Sequence, residues 1–287
     1  MKHSIQLLII DPQNDFCDLP ADWGMADPLS GQGVRPTLPV TGAHADMQRL
    51  AALIRAGLDG LSGITVTLDS HHRVDIAHPP FWVQADGSPV SPFTTISAQQ
   101  VREGVFRPRD AQALPRVLSY LDELERRARY TLMVWPVHCE IGTWGHNVHA
   151  DVRAAYNAWE EKNLSAVAYV HKGMNPWTEH YSALQAEVPD EADPDTQLNQ
   201  TLIAELSRAD KVLIAGEASS HCVRATTEHI VANWSGGGMD RIVLLTDCMS
   251  PVGGFEAQAE GFLADMRARG VQLATCAEAL PWLQANS

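Results

Sequence analysis

Six short runs of apolar and β-branched residues recur along the chain, and they constrain the fold more than any other feature of the sequence. Runs of this length are typical of strands buried on both faces of a sheet. Residues at helical spacing lie between several of them, beginning near Asp46, Thr196 and Phe255. Strands that alternate with helices, without a repeat or a long linker, predict one domain with a parallel α/β sheet. The six runs are IQLLII (5–10), ITVTL (64–68), SAVAYVH (165–171), KVLIAG (211–216), RIVLLT (241–246) and VQLATC (271–276).

The composition fits this fold and argues against several classes of partner. Of the 287 residues, 45% are hydrophobic and 20% are charged, as in ordinary globular domains. Lys plus Arg number 21 against 35 for Asp plus Glu, so the net charge of −14 would repel nucleic acid and anionic membranes. The first apolar run is too short for a secretory signal, and no run approaches the ~18 residues of a membrane span. We therefore expect a cytoplasmic protein.

Polar residues stand at the ends of the predicted strands. Asp11, Asp69 and Lys172 follow the first three runs. The fourth run leads through the small-residue turn GEASSH to Cys222, and the fifth ends at Asp247. Each residue alone has an ordinary alternative role, because Asp caps helices and Lys begins loops. In an open parallel sheet, however, these ends meet at the edge where ligands bind, so the sequence predicts a functional site there.

Cys222 has the setting of a nucleophile. It begins the helical stretch that continues VRATTEHIVANW, and a helix N-terminus favours a thiolate. A free cysteine has a pKa of about 8.5 and also needs a base or a cation, for which Asp11 and Lys172 are the candidates. The alternative is a buried cysteine that acts as a small hydrophobe. The five cysteines are odd in number and have no CxxC spacing, so neither a disulfide framework nor a zinc knuckle is indicated.

A second group of residues has the chemistry of a metal site. Asp69 and His71 stand two apart in LDSHHRVDIAH, which also contains His72 and His78, and WPVHC adds His138. Carboxylate and imidazole together suit zinc, iron or manganese. Adjacent histidines point to opposite sides of an extended backbone, so only one of His71 and His72 would face a metal. Chance clustering among twelve histidines is the alternative.

Five motifs in this order resemble those of a known family, the isochorismatase-like cysteine hydrolases. The WPxHC element is most similar to that of the nicotinamidases, and the resemblance runs from Ile5 to about Ala279. It implies a single domain over 1–287 with a three-layer α/β/α, Rossmann-like architecture and a six-stranded, mainly parallel sheet. The motifs are LIIDPQNDF (8–16), TLDSHH (67–72) with His78, WPVHCEIGTWG (135–145), VHKG (170–173) with HYSAL (180–184), and GEASSHCVRATT (216–227).

The resemblance also implies catalytic roles. Asp11, Lys172 and Cys222 stand at the positions of the family's catalytic triad. A cis peptide bond between Glu217 and Ala218 would aim the N–H groups of Ala218 and Cys222 at a common oxyanion.

The same resemblance implies one divalent metal ion, held by Asp69, His71 and His138. Zinc is the first expectation, with Fe²⁺ and Mn²⁺ as alternatives. His78 follows His71 at a slightly longer spacing than in the family and is a further candidate ligand.

The implied activity is hydrolysis of nicotinamide to nicotinate and ammonia through a cysteine thioester, as in NAD salvage. Phe16 and Trp135 would wall the aromatic ring of this small-molecule substrate. The alternative within enzymes is a related cysteine hydrolase that acts on another small amide or ureide. A non-catalytic binding protein of the same fold would lack Asp11, Lys172 or Cys222, and all three are present.

An insertion at about 79–130 departs from the family pattern. It is rich in Pro, Gly, Ser and Thr and then continues into an apolar helical stripe. Because its ends lie beside His78 and Trp135, we expect it to line or close the substrate entrance, with assembly into a homo-oligomer as the alternative. Ser70 also stands where the family often has an aromatic residue. The acidic segment 187–197 is expected to be a solvated loop.

Overall fold

The computed structural model describes residues 2–287 of the protein, and ten strands and eight α-helices follow one another along them. The strands are β1 (Ile5–Ile10), β2 (Gly63–Asp69), β3 (Trp82–Gln84), β4 (Thr94–Ile96), β5 (Phe106–Pro108), β6 (Leu132–Val134), β7 (Ala168–Lys172), β8 (Lys211–Gly216), β9 (Ile242–Leu245) and β10 (Gln272–Ala274). The helices are α1 (Ala43–Ala56), α2 (Ala98–Arg102), α3 (Leu114–Arg127), α4 (Ala150–Asn163), α5 (Gln200–Ser207), α6 (Cys222–Ala232), α7 (Glu256–Ala268) and α8 (Cys276–Ala285).

Six of the strands form the central sheet. Their order is β10, β9, β8, β1, β2, β7, and every neighbouring pair is parallel. Each of these strands coincides with one of the six predicted runs to within a few residues. The predicted parallel α/β sheet is therefore confirmed.

Helices cover both faces of this sheet. One face packs against α1, α4 and α8, with Leu7, Ile9 and Val66 among the strand residues in that core. The other face packs against α5, α6 and α7, with Leu8 and Ile10 among its strand residues. Successive strand residues point to opposite faces, so burial on both faces explains why the strands are apolar at nearly every position. The arrangement is the predicted three-layer α/β/α architecture.

The helix ends depend partly on distant residues. We predict a helix from Asp46, but α1 begins at Ala43, because the Asp18 carboxylate accepts hydrogen bonds from the N–H groups of Gly42 and His44. Within residues 2–287, no helix is both long enough and apolar enough to cross a membrane.

The insertion forms a small unit beside the sheet. It contains α2 and α3 and contributes to two short antiparallel pairs, β3 with β5 and β4 with β6. These elements surround an apolar core of their own, in which Trp82, Val117 and Leu121 are buried. The predicted apolar face of the helix from Leu114 is thus covered largely by the insertion itself.

Candidate active site

The strand order brings the candidate residues to one edge of the sheet. The carboxyl ends of β8, β1, β2 and β7 are consecutive neighbours there. Asp11 directly follows β1, Asp69 and Lys172 end β2 and β7, and Cys222 begins α6 after the turn that follows β8. All four side chains are buried.

Lys172 lies at the centre of this group. Its Nζ is 2.9 Å from Asp11 Oδ2 and 2.9 Å from Asp69 Oδ1, and it donates to Cys222 Sγ at 3.6 Å. Burial lowers the pKa of Lys172, but the charges of Asp11 and Asp69 outweigh burial and hold this pKa well above its usual range. The site therefore keeps a cation between two carboxyl groups and a thiol.

Asp11 is oriented by a threonine of the neighbouring strand. The Thr67 hydroxyl donates to Asp11 Oδ1 at 2.5 Å, and the Asp11 N–H donates to Thr67 Oγ1 at 3.1 Å. Burial raises the pKa of Asp11, whereas Lys172 and Thr67 lower it by smaller amounts. A carboxylate with a raised pKa is a stronger base, and the oxygen that Thr67 leaves unbound, Oδ2, contacts Lys172.

Cys222 is 6% exposed. Burial raises the pKa of the thiol well above its usual range, Lys172 lowers it, and the charges of Asp11 and Asp69 raise it again. Burial therefore outweighs any lowering of the pKa of the thiol at the start of α6, where the sequence analysis also expects a base or a cation. The thiol depends on a base, and Asp11 and Cys222 have side-chain atoms within 4.8 Å of each other.

The turn before Cys222 presents two backbone donors. The peptide bond between Glu217 and Ala218 is cis. Across the described chain, the N–H groups of Ala218 and Cys222 find no backbone acceptor. The Glu217 carboxyl group accepts from the Ser250 N–H at 3.0 Å, and the Ser219 N–H donates to Ser250 O at 2.9 Å. The segment after β9 therefore supports this turn.

The metal-binding candidates form a second cluster beside Lys172. One ring nitrogen from each of His71, His78 and His138 lies within 4.8 Å of the other two. Asp69 Oδ1 is 3.1 Å from His71 Nε2, and its Oδ2 is 3.4 Å from His138 Nε2. The structure thus brings His78, which the sequence spacing left open, into the same cluster.

The hydrogen bonds around these rings suit a metal site. His71 Nδ1 is 3.1 Å from the Asp75 carboxylate, whereas its buried Nε2 makes no hydrogen bond. His138 Nδ1 is 2.8 Å from Pro136 O. Bonds of this kind orient the rings of histidines that ligate metals. A Cβ on Gly173 would come within 3.1 Å of the His71 ring, so the absence of a side chain there keeps the space open.

The charge state of His78 agrees with ligation. Burial, followed by the nearby His138 and His71, lowers the pKa of His78 to about 2, so its ring is neutral at ordinary pH. Neutral imidazole is the form that binds metals. Three imidazoles and one carboxylate fit a divalent ion such as zinc, iron or manganese. The adjacent His72 is exposed and stays outside the cluster.

A narrow cavity lies beside Cys222. Phe16 and Trp135, the two residues expected to hold the substrate ring, are both in its wall. The Phe16 and His138 rings also contact each other, with centroids 5.5 Å apart. The wall contains five further residues that are absent from the sequence prediction: Leu38, Glu179, Tyr181, His221 and Val252.

Two of these residues carry polar groups into the wall. Tyr181 belongs to the HYSAL motif, and its hydroxyl accepts from Trp135 Nε1 at 3.0 Å. Glu179 is buried, its Oε2 makes no hydrogen bond, and burial raises its pKa. Both lie within ten residues of Lys172, a signal that could have identified them. His221 directly precedes Cys222 in the GEASSHCVRATT motif, and it packs against Trp135 with ring centroids 5.2 Å apart.

Gln13 is a further residue of the site that the sequence analysis does not predict. Its side-chain amide donates to Asp69 O at 2.8 Å and accepts from the Asp69 N–H at 2.7 Å. Gln13 is fully buried and stands inside the DPQNDF motif, two residues after Asp11. A polar residue buried at a strand end is the available signal, because such a group requires partners.

Ser70 does not belong to the cavity wall. Its hydroxyl lies 2.9 Å from His146 Nε2 and 3.1 Å from His171 Nδ1. The Ser70 side chain is thus bound to these two histidines and is not among the residues of the cavity wall.

The insertion touches the outer side of the cavity wall. Its Phe93 meets Trp135 edge-on, with centroids 5.9 Å apart, and is 55% exposed. Tyr130, at the end of the insertion, packs against Tyr181 at 4.6 Å. Between 79 and 129, no residue is in the wall itself. A role in closing the entrance stays a prediction.

The chain is similar to known proteins in its three-dimensional structure, whereas comparisons of its sequence found no match. No model of a known protein family matches the sequence, and no curated protein matches it. A nicotinamidase/pyrazinamidase of Acinetobacter baumanii is 19% identical, with 96% of this chain and 97% of that chain covered and a TM-score of 0.61. The yeast nicotinamidase bound to the inhibitor nicotinaldehyde is 18% identical, with 94% and 99% covered and a TM-score of 0.61. The Pyrococcus horikoshii pyrazinamidase in complex with zinc is 18% identical, with 95% and 99% covered and a TM-score of 0.51.

These similarities confirm the fold that the motifs imply. The chain has the isochorismatase-like α/β fold, with a central parallel sheet between two layers of helices. The solved structures of a nicotinamidase/pyrazinamidase and of the yeast nicotinamidase are among those with a similar fold. At 18–19% identity, what is shared is the fold.

Proposed function

We propose that the protein is a cysteine amidohydrolase that converts nicotinamide to nicotinate and ammonia. One observation carries this proposal: buried Lys172 contacts Asp11 and Cys222 at the edge of the same cavity that has Phe16 and Trp135 in its wall. A base, a cation and a thiol in mutual contact form an activated nucleophile. Two aromatic walls suit a flat ring.

In the first half of the reaction, Cys222 attacks the amide. Asp11 Oδ2 takes the thiol proton, and the thiolate attacks the carbonyl carbon while Lys172 balances its charge. The N–H groups of Ala218 and Cys222 would donate to the developing oxyanion, and loss of one such donor typically lowers the rate by about 10²–10³-fold. Asp11 then returns its proton to the departing nitrogen, which leaves as ammonia. The product of this half is a thioester on Cys222.

In the second half, water hydrolyses the thioester. Asp11, which is again a carboxylate, accepts a proton from the water as it attacks the same carbonyl carbon. The tetrahedral intermediate collapses and releases nicotinate, while Asp11 supplies the proton that restores the Cys222 thiol. One residue thus acts alternately as base and acid, which suits a carboxyl group with a raised pKa.

The residues that would hold a metal are Asp69, His71, His78 and His138. When bound, a divalent ion would supply a ligand position for the pyridine nitrogen and so orient the ring. Asp69 also contacts Lys172, so the candidate metal cluster and the triad share a carboxylate. Zinc is the proposed ion, and the proposed setting is NAD salvage in the cytoplasm.

One feature of the cavity favours a second candidate, a related hydrolase for another small amide or ureide. The Glu179 carboxyl group has an unpartnered oxygen in the wall. A polar substrate group could satisfy it, because buried polar atoms are nearly always hydrogen-bonded. The two candidates share the triad and differ in substrate alone.

Ammonia release from a panel of amides tests the proposal. Purified protein with measured metal content would be given nicotinamide, pyrazinamide, an aliphatic amide and a ureide. We expect kcat/KM for nicotinamide to exceed that for the aliphatic amide by at least about 10²-fold, equivalent to about 2.7 kcal/mol. A preference for the ureide or the aliphatic amide would support the second candidate, and absence of turnover on the whole panel would contradict both.

A further inference from the structure

Two cysteines outside the cavity lie side by side at the same edge of the sheet. Cys248 follows β9, and Cys276 follows β10 and begins α8. Their Sγ atoms are 3.0 Å apart, although the residues are 28 positions apart in the chain. Carbon atoms in optimal contact are about 3.5–4.0 Å apart, and sulfur is larger, so the thiols touch directly. A disulfide bond of about 2.05 Å needs the sulfurs to approach by only about 1 Å more.

We propose that Cys248 and Cys276 form a reversible disulfide that braces the turn before Cys222. This modification site is separate from the proposed triad and does not rest on the proposed reaction. It pairs two of the five cysteines and leaves Cys17, Cys139 and Cys222 as thiols.

The surroundings favour the uncharged disulfide over a pair of thiolates. Asp247 Oδ1 accepts from the Cys276 N–H at 2.9 Å, so this donor at the helix start is occupied. The same oxygen is 3.9 Å from Cys248 Sγ. A carboxylate so close destabilises a thiolate on Cys248, the buried member of the pair. A disulfide is a strong oxidant when its reduced form is stabilised as a thiolate. Within the described part of the chain no such stabilisation is present here, so the Cys248–Cys276 disulfide would be harder to reduce once formed.

The two sulfurs differ in access, which suggests an order of reaction. Cys276 is half-buried and can meet a small disulfide, whereas Cys248 is fully buried. With oxidised glutathione as the oxidant, the Cys276 thiolate attacks one glutathione sulfur and displaces one glutathione thiolate. The Cys248 thiol then gives up its proton, and its sulfur attacks Cys276 Sγ and displaces the second glutathione. The protein loses two electrons and two protons, and one glutathione disulfide becomes two glutathione thiols.

The disulfide bond would restrain the turn between Glu217 and Cys222, which carries the proposed oxyanion donors. It would do so through the segment after β9. Cys248 O accepts from the Gly216 N–H at 2.9 Å. Two residues further on, Ser250 accepts from Ser219 and donates to the Glu217 carboxyl group. A covalent link from Cys248 to α8 would therefore restrain the acceptors and donors that hold this turn.

The test is equilibration of the full-length protein in glutathione buffers of rising oxidised fraction, followed by thiol counting and peptide mapping. Cys222→Ser would serve as the background, so that the proposed nucleophile does not consume oxidant. We expect loss of two thiols, a Cys248 to Cys276 cross-linked peptide, full reversal by dithiothreitol, and a Tm at least about 5 °C above that of the reduced protein. Cys276→Ser in the same background should show neither cross-link nor Tm shift.

Three results would overturn the inference. All thiols could remain free across the series, or glutathione could remain attached to one cysteine without cross-linking. Alternatively, zinc added to the reduced protein could bind at an additional site that Cys248→Ser removes, which would make Asp247, Cys248 and Cys276 a metal site. The bracing role is tested by amide hydrogen exchange at Ser219 and Ser250, which should slow by at least about tenfold on oxidation; unchanged exchange in the cross-linked protein would contradict it.

Discussion

Single residues of the site are held by neighbours that do no chemistry themselves. Thr67 fixes one oxygen of Asp11 and so leaves the other for Lys172 and Cys222. Gln13 binds both backbone polar groups of Asp69, the carboxylate that the candidate metal cluster shares with Lys172. Proton transfer depends on sub-ångström placement of such groups, so these positioning residues should affect rate without touching substrate.

The role of Thr67 can be tested with a matched pair of variants. Thr67→Val removes the hydroxyl that lowers the pKa of Asp11, so this pKa should rise further. Because Asp11 must be ionised to act as a base, the acidic limb of the kcat/KM profile should move to higher pH, and kcat should fall by at least about tenfold. Thr65→Val, on the same face of β2, should leave the pH profile unchanged. Equal profiles for Thr67→Val and wild type would contradict this role.

The metal cluster allows a similar comparison between adjacent histidines. His71→Ala should lower metal affinity by at least about tenfold, measured by metal analysis after dialysis. It should also weaken nicotinamide binding more than it slows alkylation of Cys222, because Asp11 and Lys172 set the reactivity of the thiol. His72→Ala, an exposed neighbour, should retain the metal. Full nicotinamidase activity in metal-free protein would rule out a role for the ion.

What the sequence could predict at this scale follows from where each residue stands. Asp11, Asp69, Lys172 and Cys222 end strands or begin a helix, so knowledge of a parallel sheet is enough to bring them to one edge. Thr67 lies inside a strand. Its contact with Asp11 depends on the pairing of β1 with β2, which local spacing does not contain.

Among the elements, the sheet was predictable and the helices were less so. The strands are apolar on both faces, which leaves a clear signal. By contrast, α4 is absent from the predicted elements, although its buried residues have helical spacing. The short strands of the insertion have three residues each, too few for alternation to be recognised. The buried face of α4 is formed by Val152, Ala155, Tyr156 and Trp159.

The insertion can be tested through its contact with the cavity wall. Phe93→Ala removes an exposed ring that packs against Trp135. If the insertion shapes the entrance, KM for nicotinamide should rise by about fivefold, equivalent to ~1 kcal/mol, while Tm changes little. Val105→Ala, another exposed apolar residue of the insertion, is the control. Unchanged kinetics would indicate an assembly surface or a passive segment, and analytical ultracentrifugation of both proteins would distinguish these.

At the scale of the whole molecule, the buried carboxyl group of Glu187 should make the free energy of unfolding depend on pH. Glu187 opens the acidic segment that we expect to be solvated, but it is 3% exposed, so this expectation is only partly correct. Burial raises its pKa from 4.5 to about 7, although Arg129, 3.6 Å away, lowers it. Between pH 4.5 and about pH 7, the Glu187 carboxyl group therefore stays protonated in the folded protein but is ionised in the unfolded chain. This group's contribution to stability therefore falls as pH rises from about 4.5 to 7.

Glu187→Gln should remove that dependence. The free energy of unfolding would be measured with urea at pH 4.5 and at pH 8. From the lower to the higher pH, it should fall by about 3 kcal/mol more in wild type than in Glu187→Gln. Glu191→Gln, an exposed change in the same segment, should behave like wild type. The same pH dependence in Glu187→Gln and wild type would show that the buried carboxyl group does not titrate in this range.

The central claim is that Cys222 is the nucleophile of an amidohydrolase, and comparison of nicotinamide turnover by wild type and Cys222→Ala tests it most directly. Removal of one sulfur at the start of α6 should leave the fold and Tm almost unchanged, while kcat/KM for ammonia release falls by at least about 10³-fold. Cys276→Ala, assayed under reducing conditions, should retain wild-type turnover. Turnover by folded Cys222→Ala within about tenfold of wild type would contradict the account.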